Sequence, residues 1–182
     1  MDAIVRPDLT RVVLTGSEST GKTTLARQLA LHYEVEYVPE FVREFAERKA
    51  APIAMSDHGP IAHGQMAWEN EYAARAGYLL FQDADLLSTV AYCNHYFGAC
   101  PAWIEETAMA RRPALYLLAS IDVPWEADGI RDRGKRREEM HALFVETLRR
   151  LKAPYTIITG LGEARVQKAI AAVDLLLRER TL

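Results

Sequence analysis

The chain has 182 residues, of which 49% are hydrophobic and 26% are charged, and its formal net charge is −3. This balance is typical of one ordinary globular domain and gives no support for nonspecific nucleic-acid binding. Two cysteines are too few for a disulfide framework, and no apolar run approaches the length of a membrane span. We therefore expect a single cytoplasmic domain over residues 1–182 that binds neither membranes nor nucleic acid.

Short aliphatic runs alternate with helix-like segments along the whole chain. This alternation predicts an α/β fold with a five-stranded, mainly parallel sheet and helices on both faces. In such sheets, ligands bind beyond the carboxyl ends of the strands. The predicted strands are Arg11–Thr15, Val35–Val38, Tyr78–Gln82, Ala114–Ser120 and Tyr155–Thr159. The predicted helices are Lys22–Tyr33, Glu40–Lys49, His58–Ala76, Asp85–Tyr96, Lys135–Leu151 and Glu163–Arg180.

The first strand leads into a glycine-containing segment that opens a helix. Its eight residues match the P-loop pattern G-x-x-x-x-G-K-[ST], in which backbone N–H groups and the helix dipole bind phosphate. Lys22 is predicted to reach the β- and γ-phosphates of a nucleoside triphosphate, and Thr23 to bind Mg²⁺. The predicted nucleotide-binding residues in this segment are Gly16, Ser17, Glu18, Ser19, Thr20, Gly21, Lys22, Thr23 and Thr24.

A charged segment follows the second predicted strand. Glu40, Arg43 and Glu44 are spaced so that they share one face of a helix. The same pattern is typical of a solvated helix start, where acidic residues suit the helix dipole. Because the segment lies at the mouth of the predicted sheet, we expect it to contact an acceptor substrate.

Two aspartates follow the third predicted strand. Asp83 occupies the strand end at which P-loop enzymes place a magnesium-binding carboxylate, so it is predicted to hold the Mg²⁺ shell or to accept the substrate's hydroxyl proton. Asp85 has two equally weighted interpretations. It is either a further substrate contact or the N-cap of the next helix.

An arginine-rich segment follows the fourth predicted strand. Five basic residues fall within seven positions of residues 131–137, a pattern that is often only a solvated charge run. In a P-loop protein it also predicts a lid, here about residues 124–138, whose arginines contact the transferring phosphoryl group. The candidates are Arg131, Arg133 and Arg136, with Arg137 adjoining them.

Taken together, these motifs resemble the kinase domain of NadR-type proteins, which are ribosylnicotinamide (nicotinamide riboside) kinases. The resemblance extends from about Thr10 to the C-terminus. The segments that carry it are Gly16–Thr23, Glu40–Phe45, His63–Gln65, Asp83–Asp85 and Trp125–Arg131.

The resemblance implies a P-loop kinase that transfers phosphate from ATP, with Mg²⁺, to nicotinamide riboside in NAD salvage. The residues expected to take part in catalysis are Lys22, Asp83, Glu40 and Arg131. The residues expected to contact the substrate are Glu40, Arg43, Glu44, Asp83, Asp85, Tyr92, Trp125 and Asp128. NadR proteins carry an adenylyltransferase domain ahead of the kinase, and we do not expect that activity here, because only about ten residues precede the first strand.

One position departs from the family pattern and keeps alternatives open. Family members tend to place an aromatic residue just before the position of Glu40, where this chain has Pro39. Trp125, Tyr92 or Trp68 is then expected to supply the ring face for the cationic nicotinamide. The first alternative is a P-loop kinase for another nucleoside or nucleoside monophosphate, and the second is a regulatory ATPase or nucleotide-binding switch. The oligomeric state is left open.

Overall fold

A computed structural model describes residues 6–122 and 137–181 of the chain. Five strands form one sheet in the order β2-β3-β1-β4-β5, and all neighbouring strands are parallel, which confirms the predicted fold class. The strands are β1 (Thr10–Thr15), β2 (Tyr37–Val38), β3 (Leu79–Asp83), β4 (Leu115–Ala119) and β5 (Tyr155–Ile158). The helices are α1 (Lys22–His32), α2 (Phe41–Lys49), α3 (His58–Arg75), α4 (Leu86–Phe97), α5 (Ala102–Ala110), α6 (Arg137–Arg150) and α7 (Gly162–Thr181), with a 3₁₀ helix at Met55–Asp57.

Strand β1 lies at the centre of the sheet and is covered on both faces. Val12 and Leu14 pack against side chains of α1 and α7, whereas Val13 packs against α4 and α6. Successive side chains of a strand point to opposite faces, so burial on both faces requires the consecutive apolar residues Val12, Val13 and Leu14. Within the described residues, no helix is both long and apolar enough to cross a membrane.

Strand β2 is shorter than the predicted Val35–Val38. The reason is the way in which α1 ends: Glu34 adopts a left-handed conformation, with φ 55°. The Glu34 N–H then donates to the Leu31 carbonyl and the Val35 N–H donates to the Ala30 carbonyl. This pair of hydrogen bonds is the Schellman arrangement, so Val35 terminates a helix instead of joining the sheet.

Helix α5 was not predicted from the sequence. Only Ile104 and Ala108, four residues apart, are buried, and they pack against α3 and α4. Trp103 and Met109 are large and apolar but lie exposed on the same helix. Because these exposed side chains obscure the apolar periodicity, the amphipathic pattern of α5 is visible only in the folded structure.

The start of α2 packs against the middle of α3 through one aromatic ring. The Phe41 ring lies directly over Gly64 and makes an edge contact with Trp68, at 5.0 Å between ring centroids. The Phe41 N–H also donates to Gln65 Oε1 at 3.0 Å. Since Glu40 immediately precedes Phe41, this contact determines where Glu40 lies.

We expect Gly64→Ala to lower the free energy of unfolding by about 1–3 kcal/mol, because the new methyl group would overlap the Phe41 ring. An added Cβ would lie 2.1–2.5 Å from three atoms of that ring. Gly59→Ala in the same helix is the matched control, since its nearest neighbour would be Trp103 at 3.8 Å. Urea unfolding measures both variants. Equal stability of the two variants would contradict the close packing of Phe41 on Gly64.

Candidate active site

The P-loop connects the end of β1 to the start of α1, at the carboxyl edge of the sheet. Gly16 has φ 125°, and a Cβ there would lie 3.0 Å from the Ala119 carbonyl of β4, so only glycine fits without strain. Gly21 has φ 75° and forms the N-cap of α1. The two glycines therefore let the loop curl tightly enough to aim backbone N–H groups at one point.

Lys22 and Thr20 fold inward within this loop. Lys22 is buried, and its Nζ donates to the carbonyls of Gly16 and Ser17 at 2.9 and 2.8 Å. Thr20 Oγ1 donates to the Ser17 carbonyl at 2.8 Å. The hydroxyl of Ser17 is buried and has no hydrogen-bond partner among the described residues. A positively charged amine and an unused hydroxyl in one concave loop suit a phosphate group.

Thr23 and Asp83 meet where β1 and β3 end side by side. Leu14 pairs with Asp83 across the sheet, and Thr23 Oγ1 donates to Asp83 Oδ2 at 2.5 Å. Asp83 Oδ1 is buried and has no partner among the described residues. Hydroxyl and carboxylate oxygens are hard donors of the kind that Mg²⁺ prefers. The predicted magnesium ligands are thus adjacent and fit the ion.

Within the described part of the chain, no group of three or more His, Cys, Asp or Glu side chains could hold a metal ion. A site with only Thr23 and Asp83 as protein ligands is the kind that Mg²⁺ uses, because this ion keeps several waters and binds substrate phosphates.

Glu40 lies close enough to Asp83 for the two acids to interact. Glu40 is buried at the N-cap position of α2, and Arg43 Nε donates to its Oε2 at 2.9 Å. Burial and the charge of Glu40 raise the pKa of Asp83, while Lys22 and Thr23 act in the opposite direction. The structure therefore brings together Glu40, Arg43 and Asp83. Glu44 instead forms an ion pair with Arg48 on its own helix.

Asp85 is the N-cap of α4, one of the two roles considered for it. Its Oδ1 accepts from the Leu87 N–H at 3.0 Å, and its Oδ2 accepts from the Tyr116 hydroxyl at 2.6 Å. Burial and the neighbouring Glu69 carboxylate raise the pKa of Asp85 to about 7. Ala84, between the two aspartates, has φ 67°, an uncommon conformation for a residue with a Cβ. A role for Asp85 as a substrate contact stays a prediction.

The described aromatic candidates pack against neighbouring rings of the same or an adjacent helix. Tyr92 stacks on Tyr96 at 6.2 Å and contacts Phe144 edge-on at 5.7 Å. Trp68 packs against Phe41. Five further predicted site residues lie outside the described residues: Trp125, Asp128, Arg131, Arg133 and Arg136. Arg137, the first residue of α6, donates to the Ser19 carbonyl at 3.5 Å and so contacts the P-loop.

Sequence reasoning missed Arg165, a buried arginine at the start of α7. Its Nη2 donates to the Thr20 carbonyl of the P-loop at 3.0 Å and to the Ser120 carbonyl at 3.4 Å. Its Nη1 donates to the Gly160 carbonyl at 3.1 Å and to Asp122 Oδ1 at 3.2 Å. One guanidinium thus joins the P-loop to the segments after β4 and β5. No spacing rule marks it, because three of its four partners are backbone carbonyls and the Thr20 and Ser120 carbonyls are 145 and 45 residues away in sequence.

We expect Arg165→Met to weaken binding of a nonhydrolysable ATP analogue by about tenfold, since the hydrogen bond from its charged guanidinium to the Thr20 carbonyl of the P-loop is lost. Arg178→Met, on the exposed end of the same helix, is the matched control and should bind like the unchanged protein. Isothermal titration calorimetry measures both. Unchanged affinity in a folded Arg165→Met protein would show that the P-loop does not depend on this side chain.

Asp85 should make stability depend on pH. An unfolded aspartate has a pKa of about 4, so between about pH 4 and 7 the native state holds a proton that the unfolded state has lost. This stabilisation is complete below about pH 4 and is lost as the pH rises through about 7. Asp85→Asn keeps a capping oxygen and cannot titrate. We expect the variant to become more stable relative to the unchanged protein between pH 5 and pH 8, as measured by urea unfolding. A pH-independent difference would contradict the raised pKa.

This chain is similar in sequence and in fold to known proteins. A profile of the family described as AAA domain matches residues 11–165. The trifunctional NAD biosynthesis/regulator protein NadR of Escherichia coli (strain K12) is 32% identical over 151 residues, covering 79% of this chain and 37% of that protein. The chain thus spans little more than a third of the length of this curated relative.

Two solved structures share the fold over 92% of this chain and 49% of theirs. The crystal structure of NadR protein in complex with NR has a TM-score of 0.77 at 24% identity. The crystal structure of NadR protein in complex with NAD and AMP-PNP has a TM-score of 0.76 at 23% identity. These findings confirm the resemblance to NadR-type proteins. Because the matching profile covers most of its length, the chain belongs to the AAA domain family.

Proposed function

We propose that this chain transfers the γ-phosphoryl group of ATP to the 5′-hydroxyl of nicotinamide riboside, forming nicotinamide mononucleotide. The observation that carries this proposal is the placement of two buried acids, Asp83 and Glu40, beside the P-loop residues Lys22 and Thr23. The likeness to NadR, one structure of which contains NR and another AMP-PNP, supports both substrates.

The P-loop half of the site provides binding and charge stabilisation. Lys22 leaves the loop carbonyls of Gly16 and Ser17 to contact the β- and γ-phosphates. Thr23 and Asp83 would hold Mg²⁺, which when bound would supply positive charge that neutralises charge on those phosphates. Arg131, Arg133 and Arg136 are proposed further phosphate contacts, from the part of the chain outside the described residues.

The acidic half of the site orients the acceptor. Phosphoryl transfer through a loose transition state needs little early proton removal, so the acids mainly hold the attacking hydroxyl in line. Asp83, bonded to Thr23, lies on the magnesium side. Glu40, paired with Arg43, is a second hydroxyl-orienting acid close enough to Asp83 to raise its pKa. Carboxylates also suit a substrate with free ribose hydroxyls and a cationic ring.

A kinase for another nucleoside is the second candidate. The specific observation in its favour is Pro39, which stands immediately before Glu40 and offers no ring face for a cationic base. The described aromatic candidates Tyr92 and Trp68 are engaged in edge or stacking contacts with neighbouring rings. The identity of the base is therefore the part of the proposal that most requires a direct experiment.

We expect ATP- and Mg²⁺-dependent ADP release with nicotinamide riboside, measured in a coupled assay, that exceeds release with common nucleosides or with no acceptor. Lys22→Ala is the control for the P-loop and should lower kcat by about 100-fold or more. Faster turnover of thymidine or another nucleoside would replace the proposal with the second candidate. Equal turnover without an acceptor would indicate a regulatory ATPase.

A further inference from the structure

Gln65, on α3, contacts both acidic segments of the site through one side-chain amide. Its Oε1 accepts from the Phe41 N–H at 3.0 Å, and its Nε2 donates to the Ala84 carbonyl at 3.5 Å. Phe41 follows Glu40 directly, and Ala84 follows Asp83 directly. Gln65 itself is 4% exposed. A single buried amide therefore joins the backbone beside one acid to the backbone beside the other.

A buried ion pair between Glu69 and Arg111 fixes the orientation of this amide. Gln65 Nε2 also donates to Glu69 Oε1 at 3.4 Å, one helical turn further along α3. Glu69 Oε2 in turn accepts from Arg111 Nε and Nη2 at 3.1 and 2.9 Å. The side chains of Glu69 and Arg111 are 3% and 5% exposed. Since Glu69 accepts from the amide nitrogen, the amide oxygen must face Phe41, and the side chain cannot flip without losing hydrogen bonds.

We propose that Gln65 is a positioning residue that sets the separation between Glu40 and Asp83. The proposal rests on the proposed function and deepens it, since it names the group that keeps the two hydroxyl-orienting acids at a fixed distance from each other. Two buried carboxylates repel each other, so their approach has to be imposed by the surrounding structure. A displacement of about 1 Å in such a site can cost about 100-fold in rate. Gln65 restrains both segments through backbone groups of the residues that directly follow the two acids.

The test compares three variants. Gln65→Met keeps the length of the side chain and removes both links. Gln65→Asn is the milder variant, because it keeps the amide but is one methylene too short to span both partners. Tyr33→Phe is the matched control: it removes a hydroxyl that donates to Asp174 Oδ1 at 2.7 Å and lies 3.2 Å from the Ile170 carbonyl, at the far end of α1.

We expect Gln65→Met to lower kcat by about 10- to 100-fold with KM for ATP within about twofold, and Gln65→Asn to lower kcat less. Amide hydrogen exchange should quicken in the first turn of α2 and in residues 84–88, while the P-loop is unchanged. Tyr33→Phe should alter neither kcat nor exchange in these segments.

Unchanged exchange in α2 and residues 84–88 would overturn the proposal, and so would a kcat loss no greater than that of Tyr33→Phe. A parallel rise in KM for ATP would also overturn it, because that result indicates general loosening of the fold. The exchange measurement needs no acceptor. If the unchanged protein fails to phosphorylate nicotinamide riboside, the proposed function fails while the positioning proposal is still tested.

Discussion

The hydrogen bond from the Thr23 hydroxyl to the Asp83 carboxylate is the contact on which the arrangement of the site depends. It joins the first turn of α1 to the end of β3, across the pairing of β1 with β3. Parallel strands place all their carboxyl ends at one edge, so a loop after β1 and an acid at the end of β3 must be neighbours. The apolar burial of β1 on both faces holds this edge in place.

The arrangement is unfavourable in free energy chiefly because it buries three carboxylates. Asp83, Glu40 and Asp85 are all less than one-tenth exposed and lie within two adjoining segments. Burial raises the pKa of Asp83 and of Asp85, with a further increase from the charge of Glu40 at Asp83 and of Glu69 at Asp85. Lys22 and Arg43 partly offset the effect at Asp83, and Tyr116 partly offsets it at Asp85. Groups with shifted pKa values in a concave region are typical of functional sites, where unfavourable charge is kept for chemistry. A bound Mg²⁺ ion would supply positive charge that offsets these carboxylates.

Two buried side chains outside the recognised motifs restrain the loops that carry the site. Arg165 binds carbonyls of the P-loop and of the segments after β4 and β5. Gln65 binds the backbone beside each of the two acids. Loops at the end of a sheet have few apolar contacts of their own, so hydrogen bonds from helices behind them limit their motion. Arg165 and Gln65 therefore restrain the P-loop and the backbone beside the two acids from positions outside the site itself.

The sequence by itself determined the P-loop, the parallel sheet and the pairing of acids with strand ends, because these follow from local spacing and from apolar runs. It also indicated the NadR-type resemblance through the segments around Glu40 and Asp83. Only the tertiary structure decided that Asp85 caps α4, that Glu44 pairs with Arg48, and that Gly64 admits the Phe41 ring. The same holds for α5 and for the contacts of Gln65 and Arg165. These features join residues 19 to 145 positions apart, or compete with an equally good local alternative, so no local pattern specifies them.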